Sequence, residues 1–453
     1  MTRLSPIILA LALLATACSS ELVDEIAGVA DDSTEAEVVE ESSGNTTAPT
    51  VAEAQDVEEP FVVEGPTTTL VPPLEGPFST DGGAFTADID QASLIIEEDP
   101  DRAAVANLTF PTDWTRRTID GYDELLSGLG GNDPRDGIPP IDTPIFESPA
   151  LASEWLAPSE PGALVQFNGE ARFYPLSILT RHEIVNDAFG DIPIAVTYCP
   201  LCNTAIAFDR RIDGEVIRLG VSGLLRNSDL VMWDDATTSL WQQVTGEAIA
   251  GEFAGLKLES VPTSIVSFRQ FAENFPEGGS LAGESARGRS EYGANPYVGY
   301  SSSQRPFLFD GTLDGRLPAL SRVVGVSDGD TSAAYSFAQA VSLGVINDEV
   351  DGRPIVVLAG GDTNDALDSG LISGSQPIGT AIAHDPVVDG QTLTFTANGD
   401  ETFTDEQTGS TWNVLGRATD GELAGTRLAP ITHQNEFWFA WQAFFGADTL
   451  REL

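Results

Sequence analysis

The stretch Ile192-Pro-Ile-Ala-Val-Thr-Tyr-Cys-Pro-Leu-Cys-Asn-Thr-Ala-Ile-Ala-Phe208 is the most informative part of the sequence. Apolar and β-branched residues on both sides of the cysteines predict two buried strands. Cys199-Pro-Leu-Cys202 forms the turn between them, and Asn203 tolerates the left-handed backbone conformation after the second cysteine. The stretch therefore predicts a hairpin that carries two thiols at its tip.

The N terminus has the pattern of an export signal. Arg3 precedes an apolar run over residues 4–14, and Ala15-Thr16-Ala17 stand directly before Cys18. The run is too short to span a bilayer, and small residues before a cysteine are typical of lipoprotein signals. We expect residues 1–18 to be a signal that ends at a lipidated Cys18; the simpler alternative is a secretory peptide cleaved nearby. Both predict export, and lipidation predicts a protein anchored to the membrane at the cell surface or on the periplasmic side.

Residues 19–77 are rich in Asp, Glu, Thr, Ser and Pro and contain no Lys or Arg. Such a segment buries too little apolar surface to fold, so we expect a disordered acidic spacer. The whole chain has a formal net charge of −48. This charge argues against nucleic acid or anionic lipid as a partner and leaves a small-molecule or protein partner open.

Two later parts of the chain resemble each other, which indicates a duplication. Residues 174–187 align with 335–348, and residues 204–207 align with 380–383. We expect an α+β fold, mostly β, of two tandem divergent repeats packed as one pseudo-twofold unit, each repeat being helix, buried strand, meander and amphipathic helix. The expected boundaries are a loop-rich N-terminal extension at 78–161, repeat 1 with the Cys-Pro-Leu-Cys motif at 162–282, a connector at 283–320 and repeat 2 at 321–453.

The chemistry-bearing residues of the first repeat align with different residues in the second: Cys199 with Gly360, Cys202 with Thr363, and His182 with Leu343. A site retained in one copy is expected where the copies differ. Residues Ile178, His182 and Val185 would share one apolar face of a helix over 174–187. A histidine in the position of a leucine needs a polar partner, which is either a metal or a backbone carbonyl.

The Cys-Pro-Leu-Cys turn allows three interpretations. It is a metal-binding turn if both thiolates point at one ion. It is a dithiol redox centre if one thiol has a lowered pKa, although such pairs usually begin a helix and here a strand follows. It is a structural disulfide if it only closes the hairpin, a modest gain for so small a loop. The corresponding functions are metal binding or metal-assisted redox chemistry, thiol–disulfide oxidoreduction, and a non-catalytic binding or scaffold role.

A metal site needs further ligands, and the sequence offers few. Apart from Cys18 and the pair, the side chains of this type are His182, His384 and His433. A four-cysteine zinc site is therefore impossible within one chain. Cys199 and Cys202 with His182 and His433 form the expected ligand set, which suits zinc or copper(I). His384 precedes Asp-Pro and is expected to be solvated in a turn.

Other polar residues surround these positions in the sequence. Glu183 is a candidate proton-transfer group, although a solvated helix face is the simpler interpretation. Arg226 is a candidate carboxylate or phosphate ligand, and a capped turn explains its segment equally well. The full set expected around the site or a ligand is Glu183, Tyr198, Asn203, Arg226, Asn227 and Asp229. No residue is assigned a catalytic role.

Several motifs resemble those of the prokaryotic domain-of-unknown-function 3179 family. They are His182-Glu-Ile-Val-Asn-Asp187, Tyr198-Cys-Pro-Leu-Cys-Asn-Thr204, Arg226-Asn-Ser-Asp-Leu230, Leu240-Trp-Gln-Gln243, Asn295-Pro-Tyr-Val-Gly-Tyr300 and Phe437-Trp-Phe-Ala-Trp441. The resemblance extends from about residue 120 to the C terminus. It implies an exported or membrane-tethered protein and supplies no biochemical role.

Overall fold

A computed structural model describes residues 94–97, 110–128, 134–167, 169–212, 214–286, 288–328 and 331–453. The expected signal at 1–18, the lipidated Cys18 and the spacer at 19–77 lie outside these residues. None of the helices in the described ranges has the length and apolar character needed to cross a membrane.

The first half of the fold contains strands β1–β18 and helices α1–α3. In chain order these are β1 (Ile95–Ile96), β2 (Arg116–Arg117), β3 (Leu125–Ser127), β4 (Phe146–Glu147), α1 (Pro149–Ala152), β5 (Pro161–Phe167), β6 (Glu170–Pro175), α2 (Leu176–His182), β7 (Ile184–Phe189), β8 (Ile192–Cys199), β9 (Thr204–Asp209), β10 (Arg211–Ile212), β11 (Glu215–Val216), β12 (Leu219–Arg226), β13 (Asp229–Asp234), β14 (Leu240–Gln242), β15 (Ala248–Ala250), β16 (Ser260–Val261), β17 (Thr263–Ser267), α3 (Phe268–Asn274) and β18 (Gly279–Leu281).

The second half follows a connector that contains three short 3-10 turns. Its elements are β19 (Arg322–Asp328), β20 (Thr331–Ser336), α4 (Phe337–Leu343), β21 (Val345–Val350), β22 (Arg353–Gly360), β23 (Thr380–Asp385), β24 (Val387–Val388), β25 (Gln391–Thr392), β26 (Phe395–Ala397), β27 (Phe403–Asp405), β28 (Thr411–Trp412), β29 (Ala418–Asp420), β30 (Ala429–Pro430), β31 (His433–Phe437) and α5 (Trp438–Phe445).

The strands form several small sheets. In the first half the orders are β1-β2-β15-β14-β13-β12-β3, β16-β9-β8-β7 and β17-β5-β6-β18-β4. In the second half they are β20-β19-β31, β21-β22-β23-β30 and β26-β27-β28-β29. Two-stranded sheets β10-β11 and β24-β25 complete the described set. The N-terminal extension is therefore part of the first half, because β1, β2 and β3 pair with its largest sheet.

A hairpin, a seven-residue helix and a three-stranded meander follow one another twice, as β5–β6–α2–β7–β8–β9 and as β19–β20–α4–β21–β22–β23. The same tyrosine–carboxylate bond supports both. Tyr174 Oη donates to Asp187 Oδ2 at 2.6 Å, and Tyr335 Oη donates to Asp348 Oδ2 at 2.6 Å.

The expected fold class is nevertheless wrong. The described residues are 41% strand and 15% helix, and their sheets have a propeller-like arrangement that the α+β prediction did not include. The structure does not support the expected helix–strand repeats with amphipathic helices: the units that recur are built mainly from strands, and each α-helix of the described residues spans eight residues or fewer. Helix α5 buries four consecutive residues at 438–441, so its first turn has no polar face.

The expected helix over 174–187 also ends too late. Helix α2 stops at His182 because Glu183 adopts a positive φ of 57°, and residues 184–189 form β7. Val185 therefore belongs to a strand and not to the helix face assigned to it. Hydrophobic spacing over so few residues fits both element types, which explains the error.

Candidate functional site

The Cys-Pro-Leu-Cys segment joins β8 to β9, as predicted. Cys199 pairs with Thr204 in the hairpin register, and Asn203 has the predicted left-handed conformation with φ 57°. Both cysteines are free thiols. Cys199 is 2% exposed and Cys202 is fully buried, so the tip of this hairpin lies inside the protein.

A second hairpin meets the thiols from the largest sheet. Strands β12 and β13 are joined by a two-residue turn whose Asn227 and Ser228 have φ values of 50° and 66°. Positive φ at both central residues is the geometry of a type I′ turn. The Ser228 carbonyl oxygen lies 3.8 Å from Cys199 Sγ and 3.5 Å from Cys202 Sγ. The turn therefore places Asp229 directly beside the cysteine pair.

Cys199, Cys202 and Asp229 form a buried cluster, here named the dithiol–carboxylate site. Their ligand atoms all lie within 4.8 Å of one another. Asp229 Oδ2 accepts hydrogen bonds from Gln242 Nε2 at 2.6 Å and from the Val244 backbone N–H at 3.0 Å. Asp229 Oδ1 has no partner with hydrogen-bond geometry. One carboxylate oxygen is therefore fixed by the protein while the other remains available beside the thiols.

Two more buried carboxyl groups lie in the electrostatic range of Asp229. Glu183 ends helix α2 at 7% exposure, and Glu436 lies in β31 at 0% exposure. Neither oxygen of the Glu436 carboxylate has a hydrogen-bond partner. Burial, and then the charge of Asp229, raises the pKa of Glu183 to about 8 and the pKa of Glu436 well above its usual range. Burial also raises the pKa of Asp229 to about 6.

Burial and the neighbouring carboxyl groups also disfavour the deprotonated forms of the two thiols. Burial raises the pKa of Cys199, and Asp229 and Glu183 raise it further. Burial, the neighbouring Cys199 and the carboxylates of Asp229 and Glu436 raise the pKa of Cys202 well above its usual value. Without a positive charge at the site, both thiols and most of these carboxyls stay protonated near neutral pH.

Segments distant in the chain close the site. The Phe437 backbone N–H donates to the Cys202 carbonyl at 2.8 Å, and Asn203 Nδ2 donates to the Asn435 carbonyl at 2.6 Å. From the connector, Tyr300 Oη donates to the Leu201 carbonyl at 3.1 Å. Strand β31 and the connector therefore hold the cysteine turn in place from two sides.

The expected histidine ligands do not join the cysteines. His182 Nδ1 lies 2.6 Å from the Pro139 carbonyl and its Nε2 lies 2.9 Å from Tyr292 Oη, which is the backbone-bonded alternative. His433 Nδ1 lies 2.9 Å from the Ile431 carbonyl, and its Nε2 has no partner among the described residues. Neither belongs to the cluster with ligand atoms within 4.8 Å. His384 is not solvated but 2% exposed in β23.

The other polar residues expected around the site bind neighbouring groups of the protein or form its turns. Arg226 Nε donates to Glu124 Oε2 at 2.7 Å, so its guanidinium already holds a carboxylate of the chain. Asn227 forms the hairpin turn. Tyr198 Oη donates to Asn203 Oδ1 at 3.3 Å and thereby supports the cysteine turn. The expectation that Glu183 lies on a solvated face is wrong, because the helix ends there and its side chain is buried.

Sequence reasoning missed two residues of the site. Gln242 binds Asp229, and it belongs to the Leu240-Trp-Gln-Gln243 motif. Glu436 directly precedes the apolar run that begins at Phe437. The available signal was an acidic residue, Glu436, at the edge of an apolar run. Its role at the site depends on Asp229, which lies more than 200 residues earlier in the chain.

A cation would compensate the negative charge that this cluster carries when its groups are deprotonated. Isolated buried charges are costly, so buried carboxylates and thiolates are normally paired or coordinate a metal. The described arginine ion pairs engage other carboxylates, for example Arg172 with Asp187 and Arg226 with Glu124. Cys199, Cys202 and Asp229 are the residues that would hold a metal ion, and sulfur with carboxylate oxygen is a donor set that zinc accepts.

Comparisons with known proteins give the family and nothing more specific. No curated protein and no solved structure matches the chain. The model of the family described as "Protein of unknown function (DUF3179)" matches residues 135–448. This match contains the cysteine hairpin, Asp229, the connector and Glu436. The chain belongs to the DUF3179 family.

Proposed function

We propose that this protein binds a zinc ion through Cys199 Sγ, Cys202 Sγ and the Asp229 carboxylate, and that it does so outside the cytoplasm. The observation that carries the proposal is the buried cluster of these three ligand atoms within 4.8 Å of one another. Ligand atoms around a tetrahedral zinc lie roughly 3.3–3.8 Å apart when the zinc–ligand distances are about 2.0–2.3 Å. Binding would draw the three ligand atoms together from separations of up to 4.8 Å.

The charge balance of the site supports a metal. Zn²⁺ would stabilise the deprotonated thiols and Asp229, whose pKa values are all raised by burial. Metal binding and deprotonation are linked, so the ion supplies the positive charge that the surrounding protein lacks. Zinc is favoured over copper(I) because soft copper(I) prefers thiolate and thioether ligands, whereas zinc accepts sulfur and carboxylate together.

A thiol–disulfide oxidoreductase fits the geometry less well. Reactive dithiols have a lowered thiol pKa, commonly at a helix N terminus, and a partly exposed nucleophile. Here strand β9 follows the pair, burial raises both thiol pKa values, and the thiols are at most 2% exposed. A scaffold role with a disulfide remains the outcome of the test if no metal is found.

Elemental analysis of the purified reduced chain, prepared without chelators or nickel resin, tests the proposal. We expect about one zinc per chain in the native sequence and none in the Cys199→Ser/Cys202→Ser variant. Asp400→Asn serves as the matched control, because Asp400 is an exposed carboxylate in the corresponding hairpin of the second half. Zinc that stays stoichiometric in the double-serine variant would contradict the proposal.

The proposed location follows from the sequence of the N terminus. A lipid on Cys18 would anchor the chain to the membrane, and the acidic spacer at 19–77 would separate the domain from it. Labelling with a radioactive fatty acid tests this step, with Cys18→Ser as the control. Label in that variant, or none in the native chain, would remove the anchor from the proposal without affecting zinc binding.

A further inference from the structure

Two arginines of the second half lie opposite each other, here named the arginine pair. Arg417 and Arg427 form an isolated antiparallel bridge, so their side chains project from the same side of the backbone as direct neighbours. Both are partly exposed. Like charges placed directly opposite each other are destabilising. Within the described part of the chain, neither guanidinium has an ion pair or a side-chain hydrogen bond.

The corresponding bridge of the first half has opposite charges. It joins Glu247 to Lys257. Lys257 aligns with Arg427, because residues 251–258 match residues 421–428. The first half therefore sets a carboxylate against its cation, whereas the second half has a further arginine at the position of that carboxylate.

The backbone is the same around the two bridges. Leu258 N–H donates to the Gly246 carbonyl at 2.9 Å, and Leu428 N–H donates to the Gly416 carbonyl at 2.8 Å. The charge pattern thus changes between the halves while the local backbone is kept. An anion held by the arginine pair would restore the opposite charges that the first half has.

Partial burial makes the charge of Arg427 costly. Its guanidinium carbon lies 4.7 Å from the centre of the Phe275 ring, and its Nη1 is buried without a hydrogen-bond partner among the described residues. Burial, and then the charge of Arg417, lowers the pKa of Arg427 to about 10. The guanidinium therefore remains charged near neutral pH, and an anion beside it would stabilise that charge.

Unpaired arginines are unexpected in so acidic a chain. The sequence has 22 Lys and Arg residues against 70 Asp and Glu residues, so each positive group has many possible partners. Other arginines do hold carboxylates, as Arg172 holds Asp187 and Arg322 holds Asp365. The net charge of −48 also repels polyanions, which favours a small anion as the partner of the arginine pair.

We propose that Arg417 and Arg427 form a binding site for a small oxyanion, a carboxylate or phosphate group that takes the place of the Glu247 carboxylate of the first half. Guanidinium groups offer planar pairs of N–H donors that match the oxygens of both groups. The site uses no residue of the dithiol–carboxylate site, so it goes beyond the proposed function and the result for zinc does not affect it.

Calorimetric titration of the full chain with inorganic phosphate, and separately with acetate, tests the site. Sodium chloride keeps the ionic strength equal throughout, so that screening alone gives no signal. We expect saturable binding at a single site, weakened at least tenfold in Arg427→Gln by the loss of charge-assisted hydrogen bonds. The tighter of the two anions identifies the ligand as a phosphate or a carboxylate. The inference fails if neither anion binds saturably.

Lys257→Gln is the matched control, because it removes one positive charge at the corresponding position of the first half. It should leave the affinity for both anions unchanged. A loss of affinity as large as that of Arg427→Gln would show that overall charge, and not the arginine pair, attracts the anion, and would overturn the inference.

Arg417→Glu copies the charge pattern of the first half and decides the matter even if Arg427→Gln does not fold. Opposite charges across the bridge should raise its Tm above that of the native chain by roughly 2 °C in chloride. Phosphate should raise the Tm of the native chain and leave that of this variant unchanged, because the site is lost. An equal phosphate-dependent rise in both proteins would contradict the proposed site.

Discussion

Two corresponding connections in this protein differ in chemistry although their strands match. Strands β8 and β9 are joined by residues 200–203, and strands β22 and β23 by residues 361–379. The second connection places Thr363 Oγ1 2.6 Å from Thr380 Oγ1, and Thr380 Oγ1 donates to Gln270 Oε1 at 2.9 Å. The second connection is thus closed by neutral hydrogen bonds and by the buried ion pair of Asp365 with Arg322, whereas the first buries two thiols beside three carboxyl groups.

The hairpins that follow explain how the first connection acquired its carboxylate. Ten residues (222–231) separate the paired Val221 and Met232, whereas five residues (398–402) separate the paired Ala397 and Phe403. The longer hairpin carries Asp229 into the interior. The shorter hairpin leaves its own Asp400 exposed, where it accepts from Thr402. The longer hairpin, which places Asp229 beside the thiols, is therefore one of the differences between the two halves.

The corresponding helices α2 and α4 also end at different residues. Helix α4 ends at Gly344, which has φ 79°, and helix α2 ends at Glu183, which has φ 57°. Glycine adopts positive φ without strain, whereas a residue with a Cβ pays about 1–2 kcal/mol. Strain of this kind is concentrated at functional sites. A glutamate at this position places a carboxyl group near the thiols at a cost that the second half avoids.

The largest expected effect is on metal affinity. Structural zinc sites bind with roughly 10–16 kcal/mol in total, so each of three or four ligands contributes about 4 kcal/mol, or roughly a thousandfold in affinity. We expect Asp229→Ala to weaken zinc binding by about that factor and Asp400→Ala to leave it unchanged. Competition with a zinc chelator measures both. Equal losses of zinc affinity in the two variants would show that Asp229 is not a zinc ligand that distinguishes the first hairpin from the second.

The next effect concerns the pH dependence of the metal-free protein. The pKa of Glu183 is raised to about 8, so the folded state holds its proton more tightly than the unfolded state. The resulting stability is complete below about pH 4.5 and is lost as the pH rises toward 8. Near pH 9, with chelator present, Glu183→Gln should therefore be more stable than the native chain by roughly 4–5 kcal/mol, and the difference should vanish near pH 4.

Urea unfolding at both pH values measures this difference. Glu349→Gln is the control in the second half, because Glu349 is exposed in β21 and its change should have little effect. A stability gain of the Glu183 variant that is the same at both pH values would show that ionisation is not its cause.

Loss of a buried aspartate–tryptophan hydrogen bond should destabilise the protein by a smaller amount, which should be equal in the two halves. Asp234 Oδ2 accepts from Trp241 Nε1 at 2.9 Å, and Asp405 Oδ2 accepts from Trp412 Nε1 at 2.9 Å. Replacement of either aspartate by alanine leaves a buried indole N–H unpaired and should cost about 2 kcal/mol. Thermal unfolding of Asp234→Ala and Asp405→Ala compares them. Costs that differ by several kcal/mol would mean that the halves do not share this support.

The smallest effect tests backbone strain at the helix end. Near pH 4 the Glu183 carboxyl is neutral in both states, so Glu183→Gly should relieve strain and stabilise the protein by about 1 kcal/mol. Gly344→Ala is the opposite change: its Cβ would lie 2.7 Å from Ala397 Cβ at a positive φ, and it should destabilise. Unfolding free energies at pH 4 measure both. A destabilised Glu183→Gly variant would mean that side-chain burial outweighs strain at this position.

The local features of the site were predictable because they depend on neighbours in the chain. The apolar runs on either side of Cys199 and Cys202 identified the hairpin, and Asn203 identified its left-handed residue. Helix boundaries were less predictable. Apolar spacing in the segment around His182 fits both helix and strand, and the positive φ of Glu183, which ends the helix, is unusual for glutamate.

The members of the site were only partly predictable. Asp229 was recognised as a polar residue near the cysteines, but the histidines were given the role of ligands. His182 instead lies against the Pro139 carbonyl, and His433 lies against the Ile431 carbonyl. Glu436 gave no separate signal, since an acidic residue beside an apolar run has no meaning until its neighbours are known.

The sequence by itself determined the family, the cysteine hairpin and the residue types available for chemistry, because these follow from local patterns and composition. Tertiary structure alone decided the propeller-like arrangement of the sheets, the burial of Glu183 and Glu436, and the approach of Asp229 to the thiols. The physical reason is that burial and electrostatic environment are set by contacts distant in sequence, such as the bond between Asn203 and the Asn435 carbonyl. No local pattern specifies which strand will lie against a turn more than two hundred residues away.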